Sequence, residues 1–174
     1  MIAIRPLEGA DFDRLHEIDL SEHITLIYKL DNGQLLPEAH DWQRPHGDAS
    51  FWQHQMDGWR RALKPDVWLG AFASDQMVGL ASLRHRLAPN LAQLTTLHVS
   101  QPYRRQGVAC QLLDTVIELA QQSGAESLYV SATPSASAVG FYRSQGFEPT
   151  TEPNPEMYEL EPDDIHMVRL LSSD

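Results

Sequence analysis

The sequence has little sulfur chemistry, little positive charge and no long apolar run. One cysteine, Cys110, stands in 174 residues, so an intrachain disulfide framework is excluded and a reducing, cytoplasmic setting is expected. No apolar stretch approaches the roughly 18 residues that cross a bilayer as a helix. The opening "MIAIRPLEGADF" lacks the basic segment and apolar core of a secretory signal. Lys and Arg number 13 against 24 Asp and Glu, a formal net charge of −11. A field of that sign repels nucleic acid and anionic lipid, so neither is expected as a partner. There is no His-Glu-x-x-His, and His40, His46 and His54 do not share ligand spacing on one element, so no metal centre is expected. Internal repeats and low-complexity tracts are also missing.

What is present is the composition of an ordinary soluble globular protein, 42% apolar and 21% charged, at a length suited to one domain over residues 1–174. Ile2 to Leu7 alternates until Pro6, as a short edge strand does. Asp11 is placed to cap a helix carrying Phe12, Leu15 and Ile18. Residues 24–47 have turn signals at Asp31-Asn32-Gly33, Pro37 and Pro45-His46-Gly47 without apolar periodicity, so an irregular segment is expected. A helix begins after Asp48, with Trp52, Met56, Trp59 and Leu63 on one face, and stops before Pro65.

Strands at 67–74, 77–87 and 92–100 follow, and their short links predict an antiparallel meander. Val108, Leu112, Val116 and Ala120 are spaced by four on a helix closed by Gly124. A strand at 127–133 completes a strand–helix–strand unit, which requires a right-handed crossover and parallel pairing. Pro134 and Ser135 open a short helix that ends at Gly146. The tail, 148–164, holds seven acids and four prolines and reads as a long loop before a last strand at 165–171. The predicted fold class is mixed α/β (α+β). Its twisted sheet has about six to seven strands, antiparallel in its N-terminal part and parallel around the crossover, with helices on both faces.

Between the third central strand and its helix lies "YRRQGVAC". A helix N-terminus offers unpaired N–H groups and about half a positive charge. Gly107 lets an anion approach the backbone, and Arg104 and Arg105 can add charge-assisted hydrogen bonds. Together these suit a diphosphate, although the stretch alone is equally readable as a solvent-facing turn. It is neither of the common nucleotide loops, since Gly-x-x-x-x-Gly-Lys and Gly-x-Gly-x-x-Gly are both absent.

The run from Arg104 to Ala109 fits [Gln/Arg]-x-x-Gly-x-[Gly/Ala], and "AVGFYRSQGF" from Ala138 to Phe147 fits Ala-x-x-Phe-Tyr-x-x-x-Gly-Phe. With both elements in order and "IRPL" near the start, the chain resembles the GNAT N-acetyltransferase superfamily over most of its length, least over 24–47. The resemblance implies acetyl-CoA as acyl donor, bound where two neighbouring strands splay apart. It implies that the backbone of Leu97, His98 and Val99 pairs with the pantetheine arm. The amides of Gln106, Gly107, Val108 and Ala109, with Arg104 and Arg105, would hold the pyrophosphate. Ser135 stands where members often carry a cofactor-contacting asparagine, and Ala138 opens the second element beside the cofactor. Tyr142 matches the tyrosine that serves as acid toward the departing thiolate. Members are often dimers, so a homodimer is one expectation.

Aminolysis of a thioester needs a neutral amine, an N–H donor for the oxyanion and an acid near the sulfur. The base is the part the sequence does not name. Gln93 stands where some members have glutamate, and an amide cannot accept the proton. Thr95 and Thr96 can at most position water. Imidazoles titrate near pH ~6.5 in general, which admits His98 and His85, beside a water chain or an acid from the irregular segment. Cys110 is expected as a small core residue rather than an acyl carrier. Trp52 and Trp59 are expected in the core, with Trp42, Phe51 and the acidic tail as candidates for the acceptor pocket. Net acidity favours a cationic acceptor, a small-molecule or peptide primary amine. Two alternatives stand beside this reading: a non-catalytic CoA-binding sensor or scaffold, suggested by Gln93 and Ser135, and an acyltransferase with a longer acyl donor.

Overall fold

The four-residue apolar spacing after Gly107 and the run of strands before it build a sheet with a helix-covered face. The computed structural model describes residues 1–171. Its strands are β1 (Ile2–Pro6), β2 (Glu22–Asp31), β3 (Gln34–Arg44), β4 (Val67–Ala73), β5 (Gln76–Ala88), β6 (Leu91–Val99), β7 (Ser127–Ala132), β8 (Glu148–Pro149) and β9 (Ile165–Leu170). Its helices are α1 (Ala49–Ala62), α2 (Val108–Gln122), α3 (Ala136–Ser144) and α4 (Pro155–Leu160). Seven strands form one sheet in the order β1-β4-β5-β6-β7-β9-β8, antiparallel except for the β6–β7 pair that α2 connects. The mixed α/β class, the meander and the parallel crossover are as the sequence implies.

Val108, Leu112, Leu113, Val116 and Ala120 of α2 are each no more than 1% exposed and pack on Ala71, Ala81, Leu94 and Val130. The approach is close enough that a Cβ on Gly79 would lie 3.1 Å from Leu112 Cδ1. On the opposite face Leu15, Ile18, Trp52, Met56, Met77 and Leu80 form a second cluster. There α1 begins where Asp48 accepts the Phe51 N–H at 2.8 Å. It ends at Ala62 with Leu63 as its cap, and Lys64, at a φ of 50°, turns the chain just before Pro65. A third cluster joins Leu63, Leu87, Tyr129 and Met157.

Three expectations are corrected. Residues 24–47 are not irregular: β2 and β3 form a two-stranded sheet of their own, turning at Asn32 and Gly33 with φ of 48° and 79°. Those two left-handed residues make the Asn-Gly hairpin turn that follows strand twist. The strands escaped notice because most of β3 is exposed on both faces and carries no apolar alternation. The segment around Asp11 is a 3-10 helix over Gly9–Glu17, and Glu8 rather than Asp11 is its cap. Leu15 and Ile18 are three apart, which is the repeat of that tighter helix. The tail is not all loop, since Asn154 accepts the Met157 N–H at 3.2 Å and starts α4.

Asp11 instead closes a small charged knot. It accepts the Glu8 N–H at 2.9 Å and two Arg5 hydrogen bonds at 2.7 and 2.9 Å. The Arg5 guanidinium, then the Glu8 amide, hold its carboxyl down at about 2. A depressed folded-state value means the stabilisation is complete above the ordinary Asp range near ~4 and is lost as pH falls toward the folded value. Urea midpoints measured down that range should fall more steeply for the wild type than for Asp11→Asn, and parallel curves would show that the pair contributes nothing.

Candidate active site

The site begins where β6 and β7 part. They pair only from Leu91 opposite Ser127 to Leu94 opposite Val130. Just beyond, β6 carries a bulge: Leu94 faces Leu83 of β5 and Thr96 faces Ser82, leaving Thr95 as the extra residue. A bulge bends and twists its strand. The Ser82 hydroxyl, itself buried, braces this one against the Thr96 hydroxyl at 2.7 Å and against Thr95. The backbone edges of Thr95 to Val99 and of Val130 onward therefore lack each other and face a cleft of about 1030 Å³.

One end of the cleft is the N-terminus of α2. Gly107 has φ of 81°, the left-handed conformation that turns the chain into the helix, and Val108, Ala109 and Cys110 follow it on the cleft wall. Cys110 is thus a wall residue and not the core residue expected. Arg105 also sits in the left-handed region, at φ of 60°, which costs a residue with a Cβ about 1–2 kcal/mol. Its side chain is exposed and makes no hydrogen bond or ion pair among the described residues. Arg104 behaves differently. Its Nε donates to the Val99 carbonyl at 3.1 Å and its Nη1 to the Ser21 carbonyl at 3.3 Å, with the Glu22 carboxylate 3.7 Å away. It clips the loop to the end of β6 and the start of β2. Gln106 turns away from the cleft wall, and its side-chain amide donates to the Pro102 carbonyl at 2.8 Å.

The far wall is α3. Ser135, 4% exposed, caps this helix by accepting the Ala138 N–H at 3.3 Å, and both residues line the cleft. Tyr142 is 7% exposed, with its ring against Phe141 and Phe147, and its hydroxyl makes no hydrogen bond among the described residues. Burial first, and then the charge of Asp164, push its pKa upward, so the phenol keeps its proton at neutral pH.

The other half of the cleft is roofed by the hairpin. The Tyr28 N–H reaches the Pro134 carbonyl at 2.8 Å, and the Gln101 N–H reaches the Asp19 carbonyl at 2.8 Å. β2 and the segment before it therefore join both sides of the opening. His98 points into this half, stacked on Trp59 with centroids 5.4 Å apart. Burial, followed by the charges of Arg44 and Arg104, pulls its imidazole down to about 3. The ring is therefore neutral, and its burial disfavours the charged form that accepting a proton would create. His85 does not line the cleft. Trp59 packs against the core as expected and also lines the cleft. Phe51 lies instead against Trp52 and Trp42 is 47% exposed on the hairpin, so neither reaches the cleft. Gln93, 1% exposed, lies off the wall and donates to the Met157 sulfur at 2.9 Å.

Sequence reasoning missed Arg44 and Ser131, which line the cleft together with Glu161 and Asp164 of the acidic tail. Arg44 makes no hydrogen bond among the described residues, and burial lowers its pKa from the usual guanidinium value. Its hairpin strand gave no pattern to locate it. Glu161 and Asp164 were visible only as members of an acidic tail.

A sheet opened between two strands at a helix N-terminus, with a buried phenol across the gap, is the architecture of an acetyltransferase. The chain belongs to the Acetyltransferase (GNAT) family, whose profile matches residues 26–147. Among solved structures, nourseothricin acetyltransferase superposes with a TM-score of 0.74 at 17% identity, covering 98% of this chain and 99% of that one. A Bacillus anthracis protein assigned as a streptothricin acetyltransferase, solved with acetyl coenzyme A, gives 0.73 at 19% identity, over 100% and 99%. The ribosomal-protein-S18-alanine N-acetyltransferase of Escherichia coli gives 0.61 at 19%, over 100% and 96%. No curated protein matches the sequence significantly.

Proposed function

We propose that this chain, folded as one domain, transfers the acetyl group of acetyl-CoA to a primary amine by direct attack on the thioester. The observation that carries the reading is the parting of β6 and β7 after Leu94 and Val130, with the α2 N-terminus at the end of the gap. The free edge of Leu97, His98 and Val99 is positioned to pair with the amide-bearing pantetheine arm. The amides of Gly107, Val108 and Ala109 and the exposed Arg105, which has no partner among the described residues, supply what a pyrophosphate needs, namely N–H donors, a dipole end and a cation. Arg104 acts indirectly, by holding the loop. Ser135 spends its oxygen on its own helix, so its role toward the donor is to start α3 beside it.

In the transfer, the amine nitrogen bonds to the carbonyl carbon and loses a proton. The C–S bond then breaks with its electron pair on sulfur, and the sulfur gains a proton. Tyr142, held neutral by burial, donates its hydroxyl hydrogen to that sulfur. The acceptor is a small molecule or a peptide, and carboxylates on the acceptor side favour one that arrives as a cation. A thermal-shift measurement tests donor binding. Acetyl-CoA and free CoA, each at ~100 times its Kd, should stabilise the protein by about 2.7 kcal/mol. An unchanged melting temperature at millimolar levels of both would remove the donor assignment.

A further inference from the structure

We propose that Glu161, with Asp164 beside it, is the group that takes the proton from the acceptor ammonium. This rests on the acetyl-transfer reading above and names the residue which that reading leaves unassigned.

The two carboxyls reach the cleft from the end of α4 and the loop before β9. Both converge on one hydroxyl: Ser131 Oγ of β7 lies 3.2 Å from Glu161 Oε2 and 3.1 Å from Asp164 Oδ2. Ser131 is the second residue past Tyr129 on β7, just beyond the last β6–β7 pair, so the carboxyls stand at the mouth of the splay. A single hydroxyl has one proton to give, so it can donate to only one of the two carboxyls at a time.

A second group points to a ligand here. The Tyr142 hydroxyl, on a side chain more than nine-tenths buried, belongs to the same cleft wall and has no partner among the described residues, and Asp164 is the charged group that acts on it. An amine seated between Glu161 and Tyr142 would lie beside both the acceptor of its proton and the donor to the leaving sulfur.

The backbone under Glu161 is fixed by a buried relay. The Asn154 N–H donates to the Tyr129 hydroxyl at 3.1 Å, which bonds His166 Nδ1 at 2.6 Å, and His166 Nε2 bonds the Glu161 carbonyl at 2.9 Å. With the hydroxyl as donor to Nδ1, the ring carries its hydrogen on Nε2 and donates to that carbonyl. The titratable groups facing Glu161 are therefore Asp164 and, through its backbone, His166. No arginine or lysine pairs with it among the described residues. Burial first, then Asp164, hold its carboxyl above the ordinary carboxylate range, closer to the value suited to accepting a proton from an amine.

The step balances simply. One N–H bond of the ammonium breaks and its proton bonds a Glu161 oxygen. The freed lone pair attacks the thioester carbon; as the C–S bond breaks, the second N–H proton leaves the nitrogen and replaces the hydrogen that Tyr142 gives to sulfur, and the carboxylic acid later returns the first proton to solvent.

The test measures CoA thiol release against pH for wild type, Glu161→Gln, Glu161→Asp and Asp164→Asn. The acceptors are spermidine, nourseothricin and a lysine-containing peptide, and acetyl-CoA binding is followed in parallel by calorimetry. Expected are unchanged acetyl-CoA affinities, a loss of at least ~100-fold in kcat for Glu161→Gln, and partial recovery in Glu161→Asp. The acid limb of the wild-type profile should lie above the carboxylate range of about pH 4 to 5. It should move to lower pH in Asp164→Asn, because removing a like charge eases ionisation of Glu161. A Glu161→Gln variant with wild-type turnover and an unmoved acid limb would overturn the assignment. A wild type that binds acetyl-CoA yet releases no thiol with any of these amines would overturn the transfer reading, and the base with it.

Discussion

Replacing Tyr142 by phenylalanine is expected to lower acetyl transfer by ~100-fold or more while leaving acetyl-CoA affinity within about twofold. The reasoning is local. The ring is buried between Phe141 and Phe147, so removing only the oxygen keeps the packing. The lost hydroxyl has no partner among the described residues, so no buried acceptor there is orphaned and stability should hold or rise slightly. What disappears is a donor to the leaving sulfur, an interaction that matters only as the C–S bond lengthens. Steady-state kinetics separates the outcomes: kcat should fall with KM for acetyl-CoA nearly constant. A variant with normal kcat would remove Tyr142 from the chemistry and leave it as a wall of the cleft.

The second large effect is expected at the other end of the cleft. Ala109→Glu places a carboxylate in the first turn of α2, where the dipole favours it, so folding should be unharmed or improved by a few tenths of a kcal/mol. The same carboxylate would occupy and discharge the proposed pyrophosphate seat, beside Gly107 and the free Arg105. Affinity for acetyl-CoA should fall at least ~100-fold, about 2.7 kcal/mol. Circular dichroism melting and calorimetric titration of the same sample read the two sides independently. Retained affinity would mean that the diphosphate does not sit at this helix end.

The contrast between what could and could not be read from the sequence follows from how local each signal is. The Arg104 to Ala109 loop and the α2 stripe are contiguous, and each carries its own chemistry, so both were legible. So was the crossover, because strand, helix and strand follow one another with short links. The hairpin over 22–44 was not, because β3 is exposed on both faces and carries no apolar alternation, which left the alternation of Ile24, Leu26, Tyr28 and Leu30 in β2 without a visible partner strand. Its turn residues were noticed while its strands were not.

The roles of the two loop arginines were equally hidden. Arg104 and Arg105 are adjacent in sequence, and only the left-handed Arg105 backbone sends one outward while the other turns back to Val99 and Ser21. His98 was a plausible base by residue type. Trp59 on its face and two arginines nearby make it unsuitable, and none of the three is next to it in sequence. Glu161 and Asp164 looked like spread surface charge until the antiparallel β7–β9 pairing brought them to Ser131, some thirty residues away in the chain.

The central claim is transfer from a thioester held in the splay, and its most direct measurement is amine-dependent release of CoA from acetyl-CoA with mass detection of the acetylated amine. The expected result is thiol that appears only when a primary amine is present, one CoA for each acetylated product, and more readily with cationic amines than with acidic ones. Tight binding of acetyl-CoA with no thiol released across a broad amine panel would contradict it, and would mark the cleft as a binding site without transfer chemistry.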